Sequence, residues 1–242
     1  MSLSDKVKEL NEKIPKVYET GIEAGRQQEW SDFWDAFQEN GTRRNYDYAF
    51  RGKWWNDETF KPKYDLIIAH GVGCFTFRGC AITDLEAILK KQNVNLNFWG
   101  GNCSECFNSS TITVVPELDV SNISSFYLFF AWCSKLHTIR KLTFKESQTI
   151  STGMFDGCVS LANLEIGGVI GSDFKIASSP LTVESAISII THLKNYKGTE
   201  NEYTYTLTLS ASTNTLLEAE GESSPDNTTW SDYVSSLGWN LA

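Results

Sequence analysis

The chain has 242 residues, 41% apolar and 13% aromatic, with 21 Lys and Arg against 30 Asp and Glu and a formal net charge of -9. That composition can bury a core and is not that of a disordered chain. An acidic chain with no basic cluster repels phosphate backbones and anionic headgroups, which excludes nucleic acid as an expected partner. No window approaches the roughly 18 continuous apolar residues of a membrane span. The stretch from Met1 to Leu10 lacks the apolar core of a secretory signal, so a soluble chain without membrane insertion is expected.

Residues 1–63 read as a helical, aromatic-rich leader. Val7, Leu10, Ile14 and Val17 recur at spacings of three and four, a stripe that suits helix packing. Proline is tolerated in a helix's first turn and not in its interior. The spacing therefore predicts one helix to about residue 13 and a second opening at Pro15. The second carries Trp30, Phe33, Trp34 and Phe37 and stops at Asn40-Gly41. Eleven aromatic residues fall between positions 30 and 64. An irregular aromatic segment ahead of a repeat array is placed to seal its end. The alternative is a sugar-stacking platform, with Trp54 and Trp55 as the exposed pair.

Residues 64–180 repeat. Phe77-Arg78-Gly79-Cys80, Phe107-Asn108-Ser109-Ser110, Phe130-Ala131-Trp132-Cys133 and Phe155-Asp156-Gly157-Cys158 share F-x-x-[C/S], with an aliphatic residue two or three positions later. Cys80, Ser110, Cys133 and Cys158 are spaced by 30, 23 and 25 residues, a period that falls among solenoid repeats. β-prone runs follow over Ile112–Val115, Leu136–Phe144 and Leu161–Ile166. Asp84 reads as the N-cap of a helix through Leu85, Ile88 and Leu89, before extended structure resumes over Val94–Phe98.

Residues 181–242 read as an α/β closing unit. Thr182 caps a helix to about Asn195 with Val183, Ala186, Ile187, Ile190 and Leu193 on one face. Tyr203 to Leu209 alternates as a strand. A polar link leads to a short helix around Trp230 to Val234, stopped at Gly238, and a brief last strand. A terminal unit with a polar outer face prevents end-to-end stacking.

Of the six cysteines, Cys80, Cys133 and Cys158 fall at equivalent repeat positions and are expected as buried thiols. Cys103 and Cys106 have the C-x-x-C spacing of a zinc or redox pair, and Cys74 with Cys80 would complete four thiolates at an unsuitable spacing. His70, His137 and His192 form no metal or catalytic motif. No catalytic residue, metal or cofactor is expected.

The F-x-x-C-x-x-L units resemble the BspA-like leucine-rich repeats of bacterial surface proteins. Asn11 to Asp65 is similar to a leader found ahead of such repeats in prophage-associated proteins of gut Firmicutes, and Gly238 to Leu241 is similar to their C terminus. The resemblance implies a leucine-rich-repeat solenoid with parallel strands, capped by the leader and the closing unit, on the cell surface or a virion. It brings no catalytic residues. Stacked strands place alternate side chains on one outward face, so His137, Thr138, Arg140, Lys141 and Thr143, then Ala162, Asn163 and Glu165, are the candidate ligand contacts. The expected function is non-enzymatic recognition of a protein or glycan. Two alternatives stand beside it: a virion component assembled as a homo-oligomer through the N-terminal helix, and a glycan hydrolase using carboxylates of the leader.

Overall fold

In the chain's repeated turns, a phenylalanine points inward where the backbone reverses, and these rings stack on one another. The computed structural model describes residues 50–53, 55–62, 65–69 and 75–242. Phe77 and Phe107 lie 5.1 Å apart at 1°, Phe107 and Phe130 5.1 Å apart at 14°, and Phe130 and Phe155 5.8 Å apart at 14°. All four are buried. Burying each ring is worth about 1.5–3 kcal/mol, and each ring pair adds about 0.5–1.5 kcal/mol beyond area.

The backbone around each ring is held by a hydrogen-bond ladder. The amides of Phe77, Phe107 and Phe130, and the amides two residues later, donate to the next turn. Phe77 N reaches Cys106 O at 2.7 Å and Gly79 N reaches Asn108 O at 2.8 Å. Phe107 N and Ser109 N reach Phe129 O and Ala131 O at 2.8 Å, and Phe130 N and Trp132 N reach Met154 O and Asp156 O at 2.9 and 2.6 Å. The ladder also reaches back to residues read as leader. Phe50 N and Gly52 N donate to Thr76 O and Arg78 O, both at 2.8 Å, and the Phe50 ring lies 5.2 Å from Phe77. Phe50-Arg51-Gly52 thus repeats Phe77-Arg78-Gly79, and the boundary at residue 64 falls inside the array of turns.

Among the described residues all strand pairing is parallel, in three sheets of three strands. The front sheet has the order β3 (Val114–Asp119), β5 (Thr138–Phe144), β6 (Asn163–Gly168). A second has the order β1 (Leu66–Ala69), β2 (Leu96–Asn102), β4 (Ile123–Ser125). The third has the order β7 (Phe174–Lys175), β8 (Thr206–Thr208), β9 (Asn240–Leu241). Among the described residues there are four helices: α1 (Leu85–Gln92), α2 (Val183–Thr191), α3 (Ala211–Ala219) and α4 (Trp230–Ser236). The fold of the described residues is mixed α/β, and they form no closed barrel. Pro116 sits in β3 because that strand is an edge, with α1 rather than another strand beside it.

Each helix starts on a side-chain cap. Asp84, Thr182, Ser210 and Thr229 accept from the amides of Ala87, Ser185, Thr213 and Asp232. Asp84 and Thr182 are the expected caps, though α2 ends at Thr191 rather than near Asn195. Two expectations in the closing unit are corrected. The strand expected over Tyr203–Leu209 is confined to Thr206–Thr208, because Tyr203 takes φ 58° in a turn and donates its amide to Gly238 O at 2.6 Å. The polar link contains α3, whose buried residues are only Thr213 and Leu217, too sparse a stripe to register as a period. The expected leader helices, including the Val7 to Val17 stripe and its oligomer role, lie outside the described residues.

The second residue after each phenylalanine is left-handed: Gly52, Gly79, Ser109, Trp132 and Gly157 have φ of 95, 65, 57, 57 and 72°. A side chain there costs about 1–2 kcal/mol. At Gly157 a Cβ would also sit 2.7 Å from Cδ1 of Trp132. Gly157→Ala is expected to lower stability by about 2 kcal/mol, whereas Ser109→Gly, at an exposed site, is expected to raise it by up to about 1 kcal/mol. Urea unfolding of both variants reads the opposite signs.

Candidate functional site

The front sheet exposes one row of side chains per register position. Val115, Ile139 and Leu164 pair in register and point inward, as do Leu118, Leu142 and Ile166. The residues between them face out. Thr138 and Asn163 are register partners, Glu117 pairs with Lys141, and Asp119, Thr143 and Gly167 share a third row. A register irregularity between Ile139 and Leu142 breaks the alternation, so that Arg140 and Lys141, adjacent in sequence, both lie outside the core, on one face with Thr138, Thr143, Asn163 and Glu165.

Their polar atoms are tied to one another. His137 is exposed, with Nδ1 3.0 Å from Thr138 Oγ1, and Asn163 Nδ2 lies 3.4 Å from both. Arg140 Nε donates to Glu86 Oε2 of α1 at 2.8 Å, and Glu86 also pairs with Lys90. Lys90 first and Arg140 second hold the Glu86 carboxyl below its usual range. Lys141 Nζ lies 2.8 Å from Glu165 Oε1 across the strands, and that carboxylate pushes the lysine up. Thr143 faces Gly167, where a Cβ would come within 2.7 Å of Thr143 Oγ1, so the third row stays low. Ala162 is half-buried.

Beside this row an open groove of about 540 Å³ runs between β5, β6 and α2. It brings together Thr138, Arg140, Asn163 and Glu165 with Thr182, Glu184, Ser185 and Ser188. The α2 residues were not singled out in sequence. They belong here because α2 replaces a strand at the edge of β6: Leu164 N donates to Ser185 Oγ and Ile166 N to Ser188 Oγ, both at 2.9 Å. Two serines at i and i+3 thus take amides that would otherwise recruit another strand. The spacing Ser185, Ser188 ahead of a β-like run was the available signal.

Trp54 lies outside the described residues. Trp55 is not an exposed stacking residue: it is 6% exposed and packs edge-on against Phe50 at 5.1 Å and Phe60 at 6.1 Å. Phe60 in turn lies 5.6 Å from Phe77, so these rings close over the end of the phenylalanine stack.

The repeat cysteines form an internal ladder. Cys133 Sγ donates to Phe107 O at 2.9 Å and Cys158 Sγ to Phe130 O at 3.2 Å. Ser179 Oγ continues it to Cys158 O at 3.1 Å and Thr213 Oγ1 to Ser179 O at 3.4 Å. The carbonyls of Phe107, Phe130 and Cys158 already accept the amides of Ser110, Cys133 and Leu161, and the thiol or hydroxyl of the following turn gives each a second bond. Cys103 and Cys106 are also buried, in the turn before Phe107, and Cys74 lies outside the described residues. Among the described residues, no three His, Cys, Asp or Glu side chains gather to hold an ion.

No protein-family model matches the chain, and comparison with curated proteins and with solved structures returned no match.

Burial pushes Cys133 up to about 11 and Cys80 up to about 12, and raises Cys158 too. At pH 8 these thiols are expected to be silent to Ellman's reagent until the chain unfolds. In the unfolded chain they ionise near 9. The native state then holds more protons, so stability is full below pH 9 and falls as pH rises from there through the folded values. Denaturation midpoints taken across that range check the slope.

Proposed function

We propose that the chain is a non-enzymatic recognition module, a leucine-rich-repeat solenoid that binds a protein or glycan through the outward face of β3, β5 and β6. The observation that carries this reading is the groove between β5, β6 and α2, which gathers side chains from three successive units on a rigid parallel sheet. Distributed polar groups on a stiff scaffold supply recognition with little ordering cost. The stacked phenylalanine turns and the F-x-x-[C/S] ladder support the repeat-array reading of the fold. The front face carries both signs of charge in neighbouring pairs: Glu86 with Arg140 and Lys141 with Glu165. Such a mosaic favours a protein surface of complementary pattern over a uniformly charged polymer.

The double variant Arg140→Glu, Lys141→Glu reverses the centre of this mosaic at exposed positions. Against a ligand selected on the immobilised full chain from arrayed proteins and glycans, it is expected to weaken binding by about tenfold or more, mainly through the on-rate. Its melting temperature should stay near that of the parent chain. Trp132→Ala, on the turn side of the molecule, should leave binding unchanged. A ligand lost with Trp132→Ala and indifferent to the double reversal would overturn the front-face reading.

A further inference from the structure

The structure has a second concavity, away from the front sheet, where the row of second-face strands is interrupted. β4 ends one sheet and β7 begins another, and residues 145–150, which lie between them in the chain, form a loop bonded to the segments beside both. Side chains take over the missing strand's bonds. Gln148 Nε2 donates to Val120 O at 2.8 Å and Ile123 O at 2.7 Å, while Gln148 Oε1 accepts from Lys145 N at 2.6 Å. On the other side, Ile150 N donates to Ser172 Oγ at 2.8 Å. The loop is therefore pinned at both edges, and a cleft of about 600 Å³ lies against it.

Opposite the loop stands an aromatic wall from the closing unit. Tyr196 and Tyr205 lie 5.1 Å apart, with Trp239 behind them at 6.0 and 5.8 Å. Tyr196 is fixed by donating its hydroxyl to Gly171 O at 2.7 Å. Lys194 Nζ sits 4.9 Å from the Tyr196 ring centre and 2.8 Å from Glu146 Oε1, joining wall to loop. Asp173 is held at the rim by accepting from Thr206 N at 2.8 Å.

The charges lining the cleft are Lys145 and Lys194 against Glu146 and Asp173, two of each sign, which sum to zero. A phosphate or carboxylate would face two carboxylates, and a cation two ammonium groups. An uncharged ligand meets neither penalty. A ring with one apolar face and a rim of hydroxyls matches an aromatic wall set among Lys, Glu, Asp and Gln, whose donors and acceptors are already fixed in place. The volume falls within the roughly 300–1,000 Å³ typical of small-ligand sites.

We infer that the cleft between the 145–150 loop and Tyr196 and Tyr205 is a binding site for a short neutral saccharide, separate from the front face. Tyr205, half-buried and at the mouth, supplies the stacking surface. The Lys194 and Glu146 pair and Asp173 supply hydroxyl contacts.

The test is saturation-transfer NMR of the full chain with cellotriose, maltotriose and triacetylchitotriose, and with trigalacturonate as the charged comparison. At least one neutral trisaccharide should give a saturable signal, weakened about tenfold or more by Tyr205→Ala and kept by Tyr205→Phe. Because Tyr205→Ala also removes packing on Trp239, Thr149→Trp provides a second variant: it fills the cleft from an exposed loop position and should abolish the signal. The Arg140→Glu, Lys141→Glu double variant should retain it, which separates this site from the front face. Failure of all three neutral saccharides to bind, preferential binding of trigalacturonate, or a signal that survives Thr149→Trp would overturn the inference.

Discussion

Everything in the described fold depends on the reversal of the backbone at each phenylalanine. A turn this tight buries carbonyls and amides that must find partners, and they find them one turn along, through paired amide bonds near 2.8 Å. The ring fills the space the turn encloses, and a small thiol or hydroxyl adds a second bond to a carbonyl of the preceding turn. Ring, ladder and small polar group are mutually required. A bulky residue in place of Cys133 would lose the bond to Phe107 O and crowd the Ser110 hydroxyl 3.3 Å from its sulfur, and a polar residue in place of Phe107 would be buried between two rings with nothing to bond.

That arrangement leaves the outside free to vary, and the molecule uses the freedom unevenly. On the front, inward rows of aliphatic residues hold the strands in register while outward rows pair opposite charges. On the second side the strand row is broken at residues 145–150, and Gln148 and Ser172 repair the exposed backbone. The same device appears on α2, where Ser185 and Ser188 accept the amides of β6. In each case a polar side chain of suitable length substitutes for a missing strand, so an interruption becomes a concavity instead of an aggregation-prone edge. The groove beside α2 and the cleft beside the 145–150 loop both arise this way.

At one end the array is finished by rings: Trp55 and Phe60 pack over Phe50 and Phe77, which is why the tryptophan read as an exposed stacking residue is inside. At the other end, the closing unit supplies helices, and the first turn of α3 continues the ladder, with Thr213 bonding Ser179 O. The aromatic residues there, Tyr196, Tyr205 and Trp239, are shared between sealing that end and walling the second cleft.

The F-x-x-[C/S] spacing by itself determined the stacked rings and the buried thiols, and the β-prone runs that follow it determined where β3, β5 and β6 lie, because each requirement is local and recurs with every turn. Asp84 and Thr182 were legible as caps for the same reason: a cap is satisfied within three residues. Strand alternation accounts for Thr138 and Arg140 flanking buried Ile139, whereas the outward turn of both Arg140 and Lys141 needs the irregularity of β5 against β6. Tertiary structure decided what depends on partners distant in sequence. Phe50-Arg51-Gly52 joins the array only because Thr76 and Arg78 accept its amides, and α3 forms on two buried residues because a neighbouring turn covers them. The grooves depend on loop and helix side chains meeting strand edges more than twenty residues away. No local pattern in the sequence encodes which edge is left open or what reaches across to close it.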